Sequence, residues 1–404
     1  MIAIREIQQK IQLGAYTAWC DCTKSVIEMC TGSGKTLVAI MVIEAVVNKF
    51  PDAKVLIIVP TELIRDKVFP EDFAKFGKSH LLKNCTIECI QTVYKWEKKS
   101  FTLVVADELH NYLPGYTKTS YEYFKFFENN EFNYFLGLSA FIDESLKFFQ
   151  NKLGPTVYKY TISQAAKDGV VSAFKFVNYA VKLTEEEDKA LKTIQRNYNY
   201  YEMLLGGPYE AFRSATSYRV NGTPEQKQWA NIFYSLIKKR KALLDKAVNK
   251  LLVTREVMNL LPNSNGIIFS DSIEEAIKVT EGRDDVVVYH SKLKKKERLE
   301  AIAKLEDGRT KVKWISTVKA LNEGVSINKL EIGIQRNGNS KIKDTIQQTG
   351  RICRYIEDKS PIMIRTYVQY TQDQKWLTSS QKDLDPSCIY WCSSMDELKA
   401  IINS

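Results

Sequence analysis

Histidine is scarce in this chain: His80, His110 and His290 are the only three among 404 residues. Long apolar runs are absent too. The longest, Leu37 to Val47, is broken by Glu44 and falls well short of the roughly 20 residues of a membrane span, which excludes a membrane partner. The amino end lacks a hydrophobic signal region, since Met1 leads straight to Arg5 and Glu6. That predicts a protein that is not exported, with a cytoplasmic location. The eight cysteines then read as thiols rather than a disulfide framework. The close pairs Cys20/Cys22, Cys85/Cys89 and Cys388/Cys392 have no histidine beside them, so a zinc site is not expected. Neither an internal repeat nor a low-complexity linker is visible.

Against these absences stand 44% hydrophobic and 26% charged residues, enough to build real cores in two or three domains. The basic excess is unevenly placed. Residues 1–160 carry 19 Lys+Arg against 18 Asp+Glu, whereas the remainder carries 39 against 30. A polyanionic partner would therefore meet mainly the second half.

Short β-type runs alternate with helical patterns in two stretches, the signature of parallel α/β layers. Ser25–Met29, Val55–Val59, Thr86–Ile90, Leu103–Ala106 and Phe135–Leu138 read as buried strands in the first. Gly266–Phe269, Val286–Tyr289, Val312–Ile315 and Ile362–Tyr367 do so in the second. Between them, residues 183–261 are rich in Tyr and Lys, with helical periodicity and no strand signal, and are expected to form a helical insertion. The boundary between the two α/β units is placed near Tyr160, giving units of 1–160 and 161–404.

Cys30-Thr31-Gly32-Ser33-Gly34-Lys35-Thr36 follows a strand and opens a helix. The glycines let the backbone curl so that successive N–H groups point at phosphate oxygens, and the helix start adds its positive end. Lys35 is placed to reach the β- and γ-phosphates of ATP, and the Thr36 hydroxyl to hold Mg²⁺. Asp107-Glu108-Leu109-His110 follows another apolar strand, so its carboxylates face the same crevice. Asp107 suits the hydrated Mg²⁺, and Glu108 suits the attacking water.

Taken together, these two motifs resemble the superfamily 2 helicases and translocases, the branch whose second motif reads D-E-x-H. The resemblance covers most of the chain outside the inserted helices and the last 35 or so residues. It implies two RecA-like parallel-sheet lobes with a helical insertion between them. Arg5-Glu-Ile-Gln8 is similar to the R-x-x-Q element, whose glutamine reads adenine. Val59-Pro60-Thr61 with Arg65 resembles motif Ia, and Gln91-Thr92-Val93-Tyr94 the motif Ib region; both line the nucleic-acid backbone in relatives. Gly137-Leu138-Ser139-Ala140-Phe141 stands at motif III, with Phe141 where the family carries threonine. In the second lobe, Ile267 to Ser270 resembles motif IV, and Tyr289-His290-Ser291 leads into a Lys-rich helix. Ser316-Thr317 through Asn322-Glu323-Gly324-Val325-Ser326 resembles motif V, with Ser326 replacing the usual aspartate.

Gln347-Gln-Thr-Gly350-Arg351-Ile-Cys-Arg354 is the strongest signal of the second lobe. Helical spacing puts Gln347, Arg351 and Arg354 on neighbouring turns of one face, with Arg354 as the expected finger on a γ-phosphate. The resemblance further implies Gln347, Arg351 and Arg354 as catalytic partners of Lys35, Asp107 and Glu108. It implies Glu323 and Gly324 near the nucleotide, and Thr61, Arg65, Thr92, Ser270, His290, Ser291 and Thr317 along the nucleic acid. The expected activity is ATP-dependent movement along single-stranded, forked or branched DNA, 3′ to 5′, by a monomer serving phage-type replication, recombination or repair and its partner proteins. A duplex translocase that separates no strands, a DEAH-like RNA helicase and a nucleotide-gated binding protein are the alternatives.

Overall fold

The computed structural model describes residues 6–318, 327, 330–338, 341–354 and 360–404. Its first sheet is built from β1 (Lys24–Met29), β2 (Val55–Val59), β3 (Cys85–Cys89), β4 (Ser100–Ala106), β5 (Glu131–Ser139) and β6 (Thr156–Tyr160). All neighbours are parallel, in the order β3-β2-β4-β5-β1-β6. Unbroken apolar runs such as Val55–Val59 suit this arrangement because helices cover both faces of a parallel sheet. β1 shows the consequence of strand alternation. Ile27 and Met29 join the core under the helices Glu6–Asp21 and Lys35–Lys49, while Val26 joins the opposite core with Phe124, Phe127 and Leu146.

The second sheet contains β7 (Lys175–Val181), β8 (Gly266–Phe269), β9 (Val286–Tyr289), β10 (Trp314–Thr317), β11 (Ile332–Gln335), β12 (Ile362–Val368) and β13 (Ile389–Cys392). It too is parallel, in the order β13-β7-β12-β11-β8-β10-β9. Two parallel sheets flanked by helices make the expected two-lobe α/β architecture. Differences from the sequence reading are local. Val312–Ile315 slides to Trp314–Thr317, because the polar Ser316 and Thr317 are fully buried strand residues. Ile90 leaves β3 and opens the short helix Ile90–Val93. β6, β7, β11 and β13 had no clear sequence signal: β13 is a partly exposed edge strand, and β7 interrupts its apolar run with Asn178.

Residues 183–261 fold into the helices Glu185–Leu204, Ala211–Asn221, Pro224–Asp245 and Val248–Leu260. Capping boxes fix two starts, Thr184 with Glu187 and Thr223 with Gln226, the latter followed by Pro224 in the first turn. Tyr198 stacks on Phe233 with centroids 5.2 Å apart, and the Arg240 guanidinium lies 4.3 Å from the Tyr198 ring. Among the described residues, no helix is long and apolar enough to cross a membrane.

A buried set of charges ties the last inserted helix to the second sheet. Lys250 and Asp373 are both fully buried and pair at 2.6 Å. Lys250 also donates to the Arg336 carbonyl at 3.1 Å, and the Asp373 carboxylate accepts the Val368 N–H at 3.0 Å. Arg336 pairs in turn with Glu275 at 3.0 Å. Removing one partner strands a charge, so Lys250→Met should cost about 3–5 kcal/mol in urea unfolding. Lys250→Met with Asp373→Leu should recover most of that loss; a double variant as unstable as the single would deny the pair its place in the core.

Candidate nucleotide site between the lobes

The glycine-rich loop spans the gap from β1 to the helix Lys35–Lys49. Its entry is fixed by the Cys30 N–H, which donates to the Tyr160 carbonyl at 3.0 Å. The Ser33 hydroxyl closes the turn on the Cys30 carbonyl at 2.7 Å. Gly32 and Gly34 sit at φ +88° and +96°, a left-handed backbone that side chains disfavour. Space forbids a side chain at 34 as well, since a Cβ there would lie 2.0 Å from Gln12 Nε2. Burial pushes the Cys30 thiol up to about 11, so no thiolate stands beside the loop. The Lys35 ammonium donates to the Met29 carbonyl at 2.9 Å, next to the cradle it is expected to serve.

Gln12 was not singled out by the sequence. It is buried, donates to the Ser33 carbonyl at 3.4 Å, and leaves Oε1 without a hydrogen-bond partner among the described residues. Gln8, one helical turn earlier, is half-buried, and Arg5 lies outside the described residues. The i, i+4 spacing of Gln8 and Gln12 was the available clue.

β4 delivers Asp107 and Glu108 beside this loop at the same edge of the sheet. The Asp107 N–H bonds the Ile58 carbonyl at 2.9 Å, and Glu108 takes a left-handed φ of +49°. Such a backbone costs about 1–3 kcal/mol and marks a position held by its surroundings. His110 is buried, with Nδ1 at 2.8 Å from the Ser139 hydroxyl and 3.4 Å from Glu108 Oε2. Ser139 donates its one proton to the Phe141 carbonyl at 2.9 Å, so it accepts from His110, which assigns the histidine proton to Nδ1.

The second lobe approaches through the helix Ile342–Ile352. Gly350 rests against Thr31, so closely that a Cβ would come 2.7 Å from the threonine Cβ. Arg354 follows, its Cγ 4.0 Å from where a Cβ on Gly32 would stand. Gln347 is buried, and its Nε2 has no hydrogen-bond partner among the described residues. Arg351 is half-buried on the same helix. Burial lowers the pKa of the Arg354 guanidinium, while Asp72 across the lobe boundary favours its charged form. Asp72, on the helix Phe69–Lys75, is a second residue the sequence reading missed, since nothing marks it out within Glu71-Asp72. Burial raises its pKa against the opposing influence of Lys75, the Thr36 hydroxyl and Arg354. Thr31, Gly32, Thr36, Asp72, Gly350 and Arg354 thus gather in one place. Glu323 and Gly324, with the rest of the motif V segment from Asn322 to Ser326, lie outside the described residues.

The expected nucleic-acid residues divide. Thr92 and Ser291 are exposed, and Thr61 and Arg65 are half-buried. Arg65 pairs with Asp66 at 2.7 Å and lies 3.5 Å from Glu88. Ser270 and Thr317 are buried at the ends of β8 and β10, where the Ser270 N–H bonds the Thr317 carbonyl at 2.8 Å. His290 is also buried.

The loop fits a nucleoside triphosphate by what it offers: left-handed glycines at a helix start, and beside them the buried Gln12, whose Oε1 has no hydrogen-bond partner among the described residues. Such an arrangement, split between two parallel α/β lobes, defines a nucleotide-driven motor. Two family models match the chain, the type III restriction enzyme res subunit over residues 1–144 and the helicase conserved C-terminal domain over 246–356. The DNA 3′-5′ translocase XPB2 of Sulfurisphaera tokodaii is 25% identical over 401 residues, covering 91% of this chain and 84% of that protein. Among solved structures, S. cerevisiae Dbp5 bound to RNA and ADP BeF3 superposes with a TM-score of 0.64 at 16% identity, covering 98% of this chain and 92% of that one. The Pyrococcus furiosus Hef helicase domain gives a TM-score of 0.56 at 16% identity, over 94% and 100% of the two chains. Both family matches are to helicase-type models, and together with the XPB2 relative they support an ATP-hydrolysing helicase or translocase of superfamily 2.

Gly350→Ala tests the contact between lobes. Alanine favours a helix over glycine by about 1 kcal/mol, which offsets part of the cost of parting Gly350 from Thr31, so the melting temperature should change little. ATP turnover should nonetheless fall about tenfold or more, because closure becomes sterically blocked. Unchanged turnover would mean that the lobes do not need this approach.

Proposed function

We propose that this protein is an ATP-dependent DNA helicase or translocase that moves 3′ to 5′ by closing its two lobes on each nucleotide. The observation that carries this reading is Arg354, presented by the second lobe beside the phosphate loop of the first. In the mechanism, Lys35 and the loop N–H groups of residues 32–36 bind the triphosphate. Thr36 and Asp107 are the residues that would hold Mg²⁺, which supplies charge neutralisation on the β- and γ-oxygens when bound. Glu108 orients the water and takes up its proton, and His110 and Ser139 hold the acidic turn in place. Arg354, assisted by Gln347 and Arg351, neutralises charge that develops on the γ-phosphoryl group.

Because the finger belongs to the other lobe, hydrolysis depends on closure, and each cycle shifts one set of nucleic-acid contacts against the other. Thr61, Arg65, Thr92 and Ser291 supply those contacts to backbone phosphates. DNA is preferred because the XPB2 relative, similar over nine-tenths of this chain, is named as acting on DNA; the likeness to RNA-bound Dbp5 supports the fold alone. Recombination or repair of forked and branched DNA is the role this activity suits. A translocase that separates no strands is the second reading, favoured by that same relative's name.

The deciding experiment compares ATPase stimulation by single-stranded DNA, duplex DNA, branched DNA and RNA, and then strand displacement with triplex displacement. DNA should stimulate most; stimulation by RNA alone would overturn the assignment. Lys35→Ala should abolish turnover and weaken ATP binding together. Arg354→Ala should reduce turnover about 10³-fold with ATP affinity nearly kept, and equal losses in both would deny it the role of finger. DNA affinity should fall steeply with salt, and a flat log–log plot would exclude a grip on phosphates.

A further inference from the structure

Glu28 stands two residues before the phosphate loop, in a strand otherwise composed of Lys24, Ser25, Val26, Ile27 and Met29, and it is 3% exposed. A carboxylate is kept in such a place only where its oxygens are occupied. Both are. Oε1 accepts from the Thr156 hydroxyl on β6 at 3.0 Å, and Oε2 accepts from the Ile142 backbone N–H at 3.3 Å.

Ile142 ends the segment that begins at Ser139, and Ser139 is the residue bonded to His110 beside the acidic pair. Residues 139–142 are therefore strung between the strand that feeds the phosphate loop and the histidine behind Glu108. Phe141 lies between these two anchors. Together with Glu28 it lines a crevice whose other wall includes Ile346 and Asp383 of the second lobe. A threonine at 141 could carry a signal through its hydroxyl, wherever the bond partner lay within reach. Phenylalanine offers only packing, which falls away over a fraction of an ångström and so requires a fixed backbone.

We propose that Glu28 is a positioning residue: by fastening Ile142 to β1 it holds Phe141 at the lobe boundary, so that the state of the phosphate loop reaches the second lobe through packing. This rests on the motor reading above. It assigns coupling to a side chain outside the loop and outside the acidic pair, and makes no claim on the chemical step.

The test uses the full chain and two measurements: DNA-stimulated ATP turnover, and DNA displaced per ATP, scored by strand or triplex displacement. Glu28→Leu, which removes both acceptors, should keep turnover within about twofold and lower displacement per ATP about tenfold or more. Phe141→Ala should do the same from the other side of the contact. Glu28→Gln, which keeps an acceptor for Ile142, should stay near wild type. A third readout needs no turnover: the change in DNA affinity caused by a non-hydrolysable ATP analogue should shrink in Glu28→Leu and Phe141→Ala but not in Glu28→Gln. Turnover and displacement falling in proportion would show a merely structural role and overturn the proposal, as would displacement unchanged in both variants. If Glu28→Leu does not fold, Glu28→Met, which also offers Ile142 no acceptor, decides by the same criteria. A wild-type protein without DNA-stimulated ATPase activity would instead refute the motor reading itself.

Discussion

The lobes meet at a point where neither has room for more atoms. Gly350 lies on Thr31, and the distance leaves no place for a methyl group. That single approach sets the orientation of the helix Ile342–Ile352, and the helix in turn sets where Arg354 arrives. It also explains why two kinds of glycine are needed. Gly32 and Gly34 are required for backbone conformation, whereas Gly350 sits in an ordinary helix and is required for contact between the lobes. An apolar cluster extends the same meeting surface, running from β1 through Tyr160, Ile162, Val170 and Val171 into Phe176 and Ile346. Closure therefore removes apolar surface from water while it brings an arginine to the loop. The two effects act in the same direction, and the charge of a triphosphate adds to them.

Rigid bodies are needed if closure at one edge is to be felt elsewhere. In the second lobe this stiffness comes largely from paired charges inside the fold. Burial lowers the pKa of the Arg365 guanidinium to about 10, with Asp373 and Asp245 opposing, and the group donates to the Ser380 hydroxyl at 2.5 Å. Asp245 ends the helix Pro224–Asp245 and accepts the Gly338 N–H at 2.6 Å. Lys250 opens the next helix onto Asp373. The inserted helices are thus bolted to the sheet at their base, while their outer part packs on itself around Tyr198 and Phe233. Buried pairs of this kind penalise alternative arrangements more than they add net stability, which suits a part that must move as one piece.

What could be read from the sequence was whatever a local pattern dictates. The phosphate loop announces itself because glycine spacing, strand and helix start all coincide within residues 25–47. Apolar runs such as Val55–Val59 are unambiguous for the same reason: only a doubly covered strand tolerates them. Helix caps at Thr184 and Thr223 are equally local. The misses share a different cause. Gln12 acquires meaning from Ser33 and Asp72 from Thr36 and Arg354, all distant in sequence and brought beside them by the fold, and only Gln12 had a local clue in its spacing from Gln8. The burial of Ser270 and Thr317 is a similar case: their identity suits phosphate contact, and no spacing rule reports that they lie buried at the ends of β8 and β10.

Charge clusters show most plainly why composition must be checked against packing. Lys238-Lys239-Arg240-Lys241 looks like a basic face in the sequence. In the fold, Arg240 is buried over Tyr198 and donates to Gln195, and Lys241 pairs with both Asp245 and Asp271. Only Lys238 and Lys239 remain exposed. Arg336, Lys250 and Arg365 are interior as well. The basic excess of the second half is thus partly spent inside the protein, where it holds helices to the sheet. The run from Lys292 differs: Lys292, Lys294 and Lys296 stay exposed on the start of the helix Lys295–Glu306, directly after the exposed Ser291. Exposed lysine charge on this lobe is therefore found at Lys292, Lys294 and Lys296, after the end of β9, more than in the cluster that a count of charges would favour.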